Sequence, residues 1–278
     1  MEALKGKRVT AVGRTDKPEA CLREGPHWDL RTVCAVAVMA KASIPGRTKT
    51  RLVPPLTEDE AATLNTVFLR DAADTILSAA AFANIRGWMA YAPAGTELFF
   101  RTHLPESISL LETVGPSLGE CLLHAGATLL RAGHGAVCLL NSDSPTLPAG
   151  YLVAAATALA APGDRIVLGP STDGGYYLIG MKHPHPGLFE DIAWSTDQVF
   201  TQTLARAETL GLAVFELPTW YDVDDAKSLQ TLINDIVVGK RFRDVGTPTP
   251  AKWTRDHLST LIEECGLQGR ILRAGGFS

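Results

Sequence analysis

Short apolar runs alternate with amphipathic stretches along this chain, and this alternation is the feature that most restricts its fold. The first run, VCAVAVM over Val33 to Met39, is apolar at every position, which is typical of a strand covered on both faces. Thr57 and Glu60 then have capping-box spacing, and apolar residues at helical spacing follow them. Repeated strand–helix units predict an α/β fold with a mainly parallel sheet and helices on both faces.

The predicted elements fill the middle of the chain. We predict strands at 33–39, 88–92, 137–140, 165–168, 176–181 and 212–217, and helices from 57 onwards and at 119–131, 151–161, 197–210, 224–236 and 253–265. Residues 1–31 are polar and aperiodic, which predicts an N-terminal extension. No repeat or low-complexity linker divides the rest, so we expect one domain over 32–265 and a C-terminal tail over 266–278.

Composition excludes several classes of function. A formal net charge of −4 argues against a surface for nucleic acid or for an anionic membrane. No apolar run approaches the ~20 residues that span a bilayer, and the N-terminus lacks the apolar core of a signal peptide, so the expected location is cytoplasmic. The five cysteines show no CxxC spacing, which indicates reduced thiols rather than a zinc site.

Three loops hold the polar residues of interest, and each follows a predicted strand, after Met39, Leu140 and Leu217. In open α/β sheets, ligands bind beyond the carboxyl ends of the strands. These loops are therefore expected to lie along one edge of the sheet.

The first loop is basic. It contains a glycine turn and clustered cations, which together favour phosphate binding through backbone amides and positive side chains: Lys41, Gly46, Arg47, Lys49 and Arg51. The loop matches neither GxGxxG nor a P-loop, which disfavours those two nucleotide sites. A solvated basic loop is the alternative. In either case Lys49 and Arg51 are expected to face solvent.

The other two loops carry carboxylates. Asp143 follows an apolar strand in NSDSP, where it is either a turn former or a functional carboxylate. Asp222, Asp224 and Asp225 follow the last strand, and one of them is a good candidate to cap the next helix. Carboxylates from two strand ends suit Mg²⁺ or Mn²⁺, which prefer oxygen ligands.

Two further stretches have both a structural and a functional interpretation. GPSTDGGYY, which contains Asp173, is a hairpin signal, but its double glycine also lets a backbone approach a ligand closely. Trp194 and Ser195 in AWSTD fit a core aromatic residue next to a helix cap as well as the border of a ligand pocket. Both alternatives remain open from the residues alone.

Taken in order, five segments resemble one known family: VMAKASIPGRTKTRLVPPLT, NSDSPTL, GPSTDGGYYLIGM, IAWST and YDVDD. They are similar to small GT-A-type glycosyltransferases described as arsenosugar-biosynthesis or radical-SAM/selenodomain-associated transferase 1, over about 34–261. That family is related in turn to phospholactate guanylyltransferases and molybdenum-cofactor nucleotidyltransferases. The resemblance implies a nucleotide-diphospho-sugar transferase fold, which is Rossmann-like with a mixed, mainly parallel sheet.

The resemblance also implies roles for individual residues. Asp143 matches the metal carboxylate of the Asp-x-Asp motif, and Asp224 the second metal carboxylate, with Asp222 as a substitute. Lys49 joins Asp143 as a catalytic residue, and the loop from Lys41 to Arg51 holds the nucleotide and its phosphates. The expected border of the sugar or acceptor pocket is formed by Asp173, Gly174, Gly175, Tyr176, Trp194 and Ser195.

The implied activity is metal-dependent glycosyl transfer from a nucleotide-diphospho-sugar to a small-molecule acceptor, with a homodimer left open. Nucleotidyl transfer from an NTP, with release of pyrophosphate, is the alternative because the same residues serve both reactions. A non-catalytic nucleotide-binding module is the second alternative, because the chain lacks side chains that would help to hold a substrate. Relatives commonly carry a Gln and then Asp-Leu-Gly-Glu-Arg where this chain has VGPSLGEC, from Val114 to Cys121.

Overall fold

A seven-stranded sheet forms the centre of the molecule. The computed structural model describes residues 29–242 and 246–274. The strands lie in the order β3-β2-β1-β4-β6-β5-β7. Their bounds are β1 Cys34–Lys41, β2 Ile85–Ala92, β3 Ser109–Glu112, β4 Ala136–Leu140, β5 Arg165–Pro170, β6 Tyr176–Met181 and β7 Ala213–Glu216.

Strand direction brings the predicted ligand-binding loops together. β1 is parallel to β2 and β4, β2 is parallel to β3, and β5 is parallel to β7, whereas β6 is antiparallel to both of its neighbours. The loops after β1, β4 and β7 and the β5–β6 turn therefore leave the sheet at one edge. The predicted mainly parallel α/β fold is confirmed, and so is the hairpin interpretation of the turn that contains Asp173.

Eight helices surround this sheet in the described residues. They are α1 Glu58–Ala80, α2 Glu97–His103, α3 Leu118–Arg131, α4 Ala149–Ala160, α5 Val199–Thr209, α6 Ala226–Ile233, α7 Lys252–Cys265 and α8 Leu267–Ala274, and a π-helical turn extends α6 over Asn234–Val238. The capping box that starts α1 is present: the Glu60 amide donates to Oγ1 of Thr57, and the Thr57 amide donates to the Glu60 carboxylate. None of these helices is long and apolar enough to cross a membrane.

Two apolar layers cover the faces of the sheet, as the continuous apolar strands require. Alternate residues of β1 enter different layers: Val36 and Val38 pack with α1 and α4, while Ala35 and Ala37 pack with α3. Residues of α6, α7 and α8 extend the first layer, and Ala207 of α5 joins the second. Both faces of β1 are thus buried, which explains its lack of polar alternation.

The C-terminal helices pack against α1. Asp71 of α1 lies at the N-terminus of α7, where its carboxylate accepts the amides of Trp253 at 3.1 Å and Thr254 at 2.8 Å. Arg270 of α8 makes two hydrogen bonds to Glu60, at 2.7 and 2.9 Å, and this contact lowers the pKa of the Glu60 carboxyl. The predicted tail over 266–278 thus contains a helix, whereas most of the predicted N-terminal extension, residues 1–28, lies outside the described residues.

Candidate functional site

Two of the predicted loops and the β5–β6 turn meet at the carboxyl edge of the sheet. The amide of Val223, after β7, donates to the main-chain carbonyl of Asp143, after β4, at 2.9 Å. The amide of Thr172, in the β5–β6 turn, donates to the carbonyl of Trp220 at 3.0 Å. Backbone hydrogen bonds therefore hold the loops that carry Asp143, Asp173 and Asp222 beside one another.

A buried chain of hydrogen bonds lies under two of these loops. Nε1 of Trp220 donates to the Thr146 hydroxyl at 3.2 Å, which donates to the Tyr221 hydroxyl at 2.9 Å, and this in turn donates to Asp235 at 2.8 Å. All four side chains are buried, so each polar atom needs such a partner. Burial also raises the pKa of the Tyr221 hydroxyl, which stays a donor. The chain joins the loop after β4 to the loop after β7 through side chains.

The sequence predicts that Lys49 faces solvent, but its side chain is only 7% exposed. Its Nζ lies 2.9 Å from Asp143, 3.3 Å from Asp224 and 2.5 Å from the carbonyl oxygen of Val223. These contacts match the three donors of an ammonium group. The expectation fails because the partners, Asp143, Val223 and Asp224, lie far along the chain and only the fold brings them close. Lys49 also has a left-handed backbone conformation, with φ of 53°.

Arg51 follows the expectation, since its side chain is 75% exposed. One guanidinium nitrogen lies 2.6 Å from the second carboxylate oxygen of Asp224, so both oxygens of that carboxylate contact cations. The rest of the basic loop lies on the surface: Lys41 and Arg47 are exposed, and Gly46 has a positive φ of 71° with the Glu58 carboxylate against it. Apart from Lys49, the loop presents its cations to solvent.

Three carboxylates form the tightest acidic group in the described part of the chain. One oxygen each from Asp173, Asp222 and Asp224 lies within 4.8 Å of the others, a spacing that suits a shared cation. Asp173 is fixed by the hairpin, because its carboxylate accepts the Gly175 amide at 2.9 Å. The sequence predicts Asp173 only at the pocket border. Its position in a turn between two strands that meet this edge is the signal that places it with the acidic loops.

Positive side chains compensate only some of the carboxylates at this edge. Burial, and then the charges of Asp173, Asp224 and Asp143, raise the pKa of Asp222 to about 7. No cationic side chain contacts Asp222 in the described residues, whereas Lys49 and Arg51 contact Asp143 and Asp224. Above about pH 7 all four carboxylates are ionised, and the two cations then leave two negative charges uncompensated, which matches the charge of one divalent ion. Oxygen ligands suit Mg²⁺ or Mn²⁺, so the donor set fits the predicted metal.

Asp225, the remaining acidic residue of this segment, has a structural role. Its carboxylate accepts the Ser228 amide at 2.7 Å and caps α6, which confirms the capping alternative for one aspartate of this loop. The hydrogen bonds from Ser228 lower the pKa of the Asp225 carboxyl. This cap starts α6 directly after the acidic segment.

The predicted pocket-border residues occupy different environments. The hairpin glycines allow close backbone packing, and a Cβ at Gly174 would overlap the backbone of Asp197. Tyr176 points into the protein, where its buried hydroxyl has no partner among the described residues. Trp194 packs against Gly119 at the start of α3, while Ser195 is exposed and has a positive φ of 65°. A non-glycine residue at positive φ is a local strain of the kind often found at functional sites.

The stretch that departs from the resembling family still begins a helix in the regular way. The Ser117 hydroxyl accepts the Glu120 amide at 3.2 Å and caps α3, a role that Asp also performs. Ser117 can therefore replace Asp for capping. Cys121 is partly exposed, and its thiol lies 3.5 Å from the Gly115 carbonyl.

Comparison with known proteins supports the architecture. A profile of a family described as an uncharacterised protein conserved in bacteria, DUF2064, matches residues 75–196, less than half of the chain. No curated protein sequence matches the chain significantly. A solved structure from Desulfovibrio desulfuricans, provisionally named a nucleotide-diphospho-sugar transferase, is 26% identical with a TM-score of 0.70, and the alignment covers 84% of this chain and 97% of that one.

More distant likenesses belong to nucleotide-using enzymes. A CMP:2-keto-3-deoxy-manno-octonic acid synthetase complexed with CTP is 12% identical with a TM-score of 0.48, covering 74% of this chain and 99% of that one. A cytidylyltransferase from Leptospira borgpetersenii is 14% identical with a TM-score of 0.44, covering 84% and 94%. These two are too distant to bear on function. The match to the Desulfovibrio structure shows that this chain has the same Rossmann-like α/β fold as that provisionally named nucleotide-diphospho-sugar transferase.

Proposed function

We propose that this protein is a metal-dependent glycosyltransferase that uses a nucleotide-diphospho-sugar donor and a small-molecule acceptor. The observation that carries the proposal is the group of Asp173, Asp222 and Asp224 at the carboxyl edge of the sheet. The edge is where α/β folds bind ligands, and its uncompensated negative charge suits a divalent cation. The similarity to the Desulfovibrio protein supports a sugar-nucleotide donor.

Different residues would bind the metal, the phosphates and the acceptor. Asp222 and Asp224, with Asp173 beside them and Asp143 within reach of the same Lys49, would hold Mg²⁺ or Mn²⁺. A bound cation supplies positive charge to the diphosphate as it leaves. The exposed cations of the basic loop would bind the phosphates, and the backbone at Gly46 gives the loop its tight turn. The strained Ser195 and the adjacent Trp194 would border the acceptor.

Titration calorimetry with a panel of sugar nucleotides and NTPs, with and without Mn²⁺, tests the proposal. We expect a nucleotide-diphospho-sugar to bind only with Mn²⁺, and Asp224→Asn to abolish that binding. The exposed Asp256 on α7 provides the control, since Asp256→Asn removes a carboxylate far along the chain from the acidic loops. Product analysis then separates the chemistries, because glycosyl transfer releases a nucleoside diphosphate and nucleotidyl transfer releases pyrophosphate.

Each result has a distinct meaning. Pyrophosphate release from an NTP would replace glycosyl transfer by nucleotidyl transfer at the same residues. Metal-dependent binding without turnover across a panel of acceptors would indicate the non-catalytic module. Binding that is equal in Asp224→Asn and the unmutated protein would contradict the metal site itself.

A further inference from the structure

Lys49 is held at the place where the proposed metal ligands meet. Its ammonium contacts Asp143 and Asp224 at 2.9 and 3.3 Å, and the Val223 carbonyl completes its hydrogen bonds. The aromatic ring of Phe68 lies 5.4 Å from Nζ on another side, a cation–π distance. The ammonium therefore neutralises carboxylates that the proposed function assigns to a cation.

Asp224 is the point of conflict. One of its oxygens faces Lys49, the other faces Arg51, and the same residue belongs to the acidic group with Asp173 and Asp222. A divalent cation that takes an oxygen of Asp224 comes within a few ångströms of the Lys49 ammonium. Like charges at that separation repel strongly where solvent is largely excluded, and Lys49 is nearly buried.

We infer that Lys49 is an internal counter-cation that competes with the divalent metal for Asp143 and Asp224, and leaves these carboxylates when the metal binds. The inference rests on the proposed function, and it assigns Lys49 two successive positions. Without metal, the ammonium holds the carboxylates together. With metal, the released side chain can reach a phosphate of the donor from a loop that already carries Arg47 and Arg51. Metal and phosphate binding should then reinforce each other.

The first experiment measures Mn²⁺ binding by electron paramagnetic resonance in the absence of nucleotide. Lys49→Met removes the ammonium and keeps a long apolar stem, so its affinity for Mn²⁺ should rise by roughly tenfold or more. Lys227→Met is the matched control, since Lys227 is exposed on α6 and contacts none of the four site carboxylates. It should change the affinity by about twofold at most, because an exposed charge is screened.

The outcomes separate this inference from the proposed function. Unchanged or weaker Mn²⁺ binding in Lys49→Met, together with lost binding in Asp222→Asn, overturns the competition and leaves the metal site in place. Binding that is indifferent to both substitutions overturns both proposals.

A second experiment uses the unmutated protein and so does not depend on the folding of a variant. Acetylation of lysines by an amine-reactive ester, followed site by site with mass spectrometry, reports whether the Lys49 amine is accessible. We expect Lys49 to be almost unreactive without metal and to react several-fold faster at saturating Mg²⁺, while the exposed Lys227 keeps its rate. An unchanged or slower rate at Lys49 contradicts its release.

Discussion

Asp143 combines a backbone role and a side-chain role that can be separated. Its main-chain carbonyl accepts the Val223 amide and ties two loops together. Its carboxylate accepts a hydrogen bond from the Ser142 hydroxyl at 2.7 Å and pairs with Lys49. The backbone contact and the side-chain charge are therefore separate contributions of one residue.

For this reason Asp143→Asn should leave the fold nearly intact and weaken the binding of the sugar nucleotide with Mn²⁺. Asn keeps the backbone contact and the turn, but it lacks the negative charge that Asp143 would offer to the cation. We expect the dissociation constant to rise by roughly tenfold or more, because a contact to a charged group is worth ~1.5 to 3 kcal/mol. Calorimetric titration of both proteins measures the change.

Ser144 offers a control in the same loop. Its hydroxyl is buried without a partner among the described residues, so Ser144→Ala should leave binding unchanged. Equal affinity for Asp143→Asn and the unmutated protein would reduce Asp143 to a turn former.

The structural role of a single residue can be predicted when its partners lie close to it in the sequence. Thr57, Ser117 and Asp225 are caps, and the spacing of their partners three residues on is visible in the sequence. The burial of Lys49 is different. It depends on Asp143 and Asp224, which reach Lys49 only because β1, β4 and β7 end at the same edge of the sheet.

Among secondary-structure elements, α7 depends on a partner distant in sequence. Ala251, which precedes the helix, has no side chain that can cap it and a positive φ of 43°. Asp71 supplies the missing acceptor across the interface with α1, and Nε1 of Trp253 donates to the nearby Asp74 at 3.0 Å. Burial raises the pKa of the Asp71 carboxyl, although the amide hydrogen bonds oppose this shift.

Asp71→Ala should therefore lower the free energy of unfolding by ~1 to 3 kcal/mol, because two amides at the start of α7 lose their acceptor. Asp71→Asn keeps one carbonyl acceptor and should lose less. Urea denaturation followed by circular dichroism measures both changes. The exposed Asp59→Ala on the same helix is the control, and an equal loss there would contradict the capping role of Asp71.

Elements with continuous apolar runs are predicted from the sequence, whereas three short elements with a weak pattern, β3, α2 and α8, are missed. The continuous apolar runs of β1 and β4 leave little choice but a buried strand. β3 has four partly buried or exposed residues, and α2 has a single buried side chain, Phe100, so neither gives a clear period. α8 buries only Leu267 and Ile271, four residues apart, which is one contact stripe and too little to distinguish a helix from a tail.

At the scale of the whole molecule, the fold brings negative charge together at one edge of the sheet. The chain carries a net charge of only −4, yet the four site aspartates come from three different connections of the sheet. The hydrogen-bond chain from Trp220 to Asp235 fixes two of these connections from below. The structure therefore holds like charges close together, an arrangement that weakens the fold when no cation is bound.

The stability of the whole molecule should accordingly depend on pH through Asp222. Its folded pKa of about 7 lies above the ordinary value of 3.8, so the folded state binds more protons between these two values. The contribution of Asp222 to the free energy of unfolding is fully present below about pH 4, and it is lost as the pH rises through about 7. Asp222→Asn removes the titration, so its melting temperature relative to the unmutated protein should rise from about pH 4 to about pH 7 and change little above that.

The pKa shift of Asp222 corresponds to a change of at most ~4 kcal/mol in the free energy of unfolding, and reorientation of the neighbouring carboxylates will reduce this change. Thermal denaturation of both proteins in the presence of a chelator, at several pH values, measures the difference. Asp225→Asn gives a control of opposite sign: the Asp225 pKa is lowered, so its contribution is present above the ordinary value and is lost as the pH falls. If Asp222→Asn gives a constant offset at every pH, Asp222 ionises normally in the folded protein and the crowding of negative charge at this edge is too weak to matter.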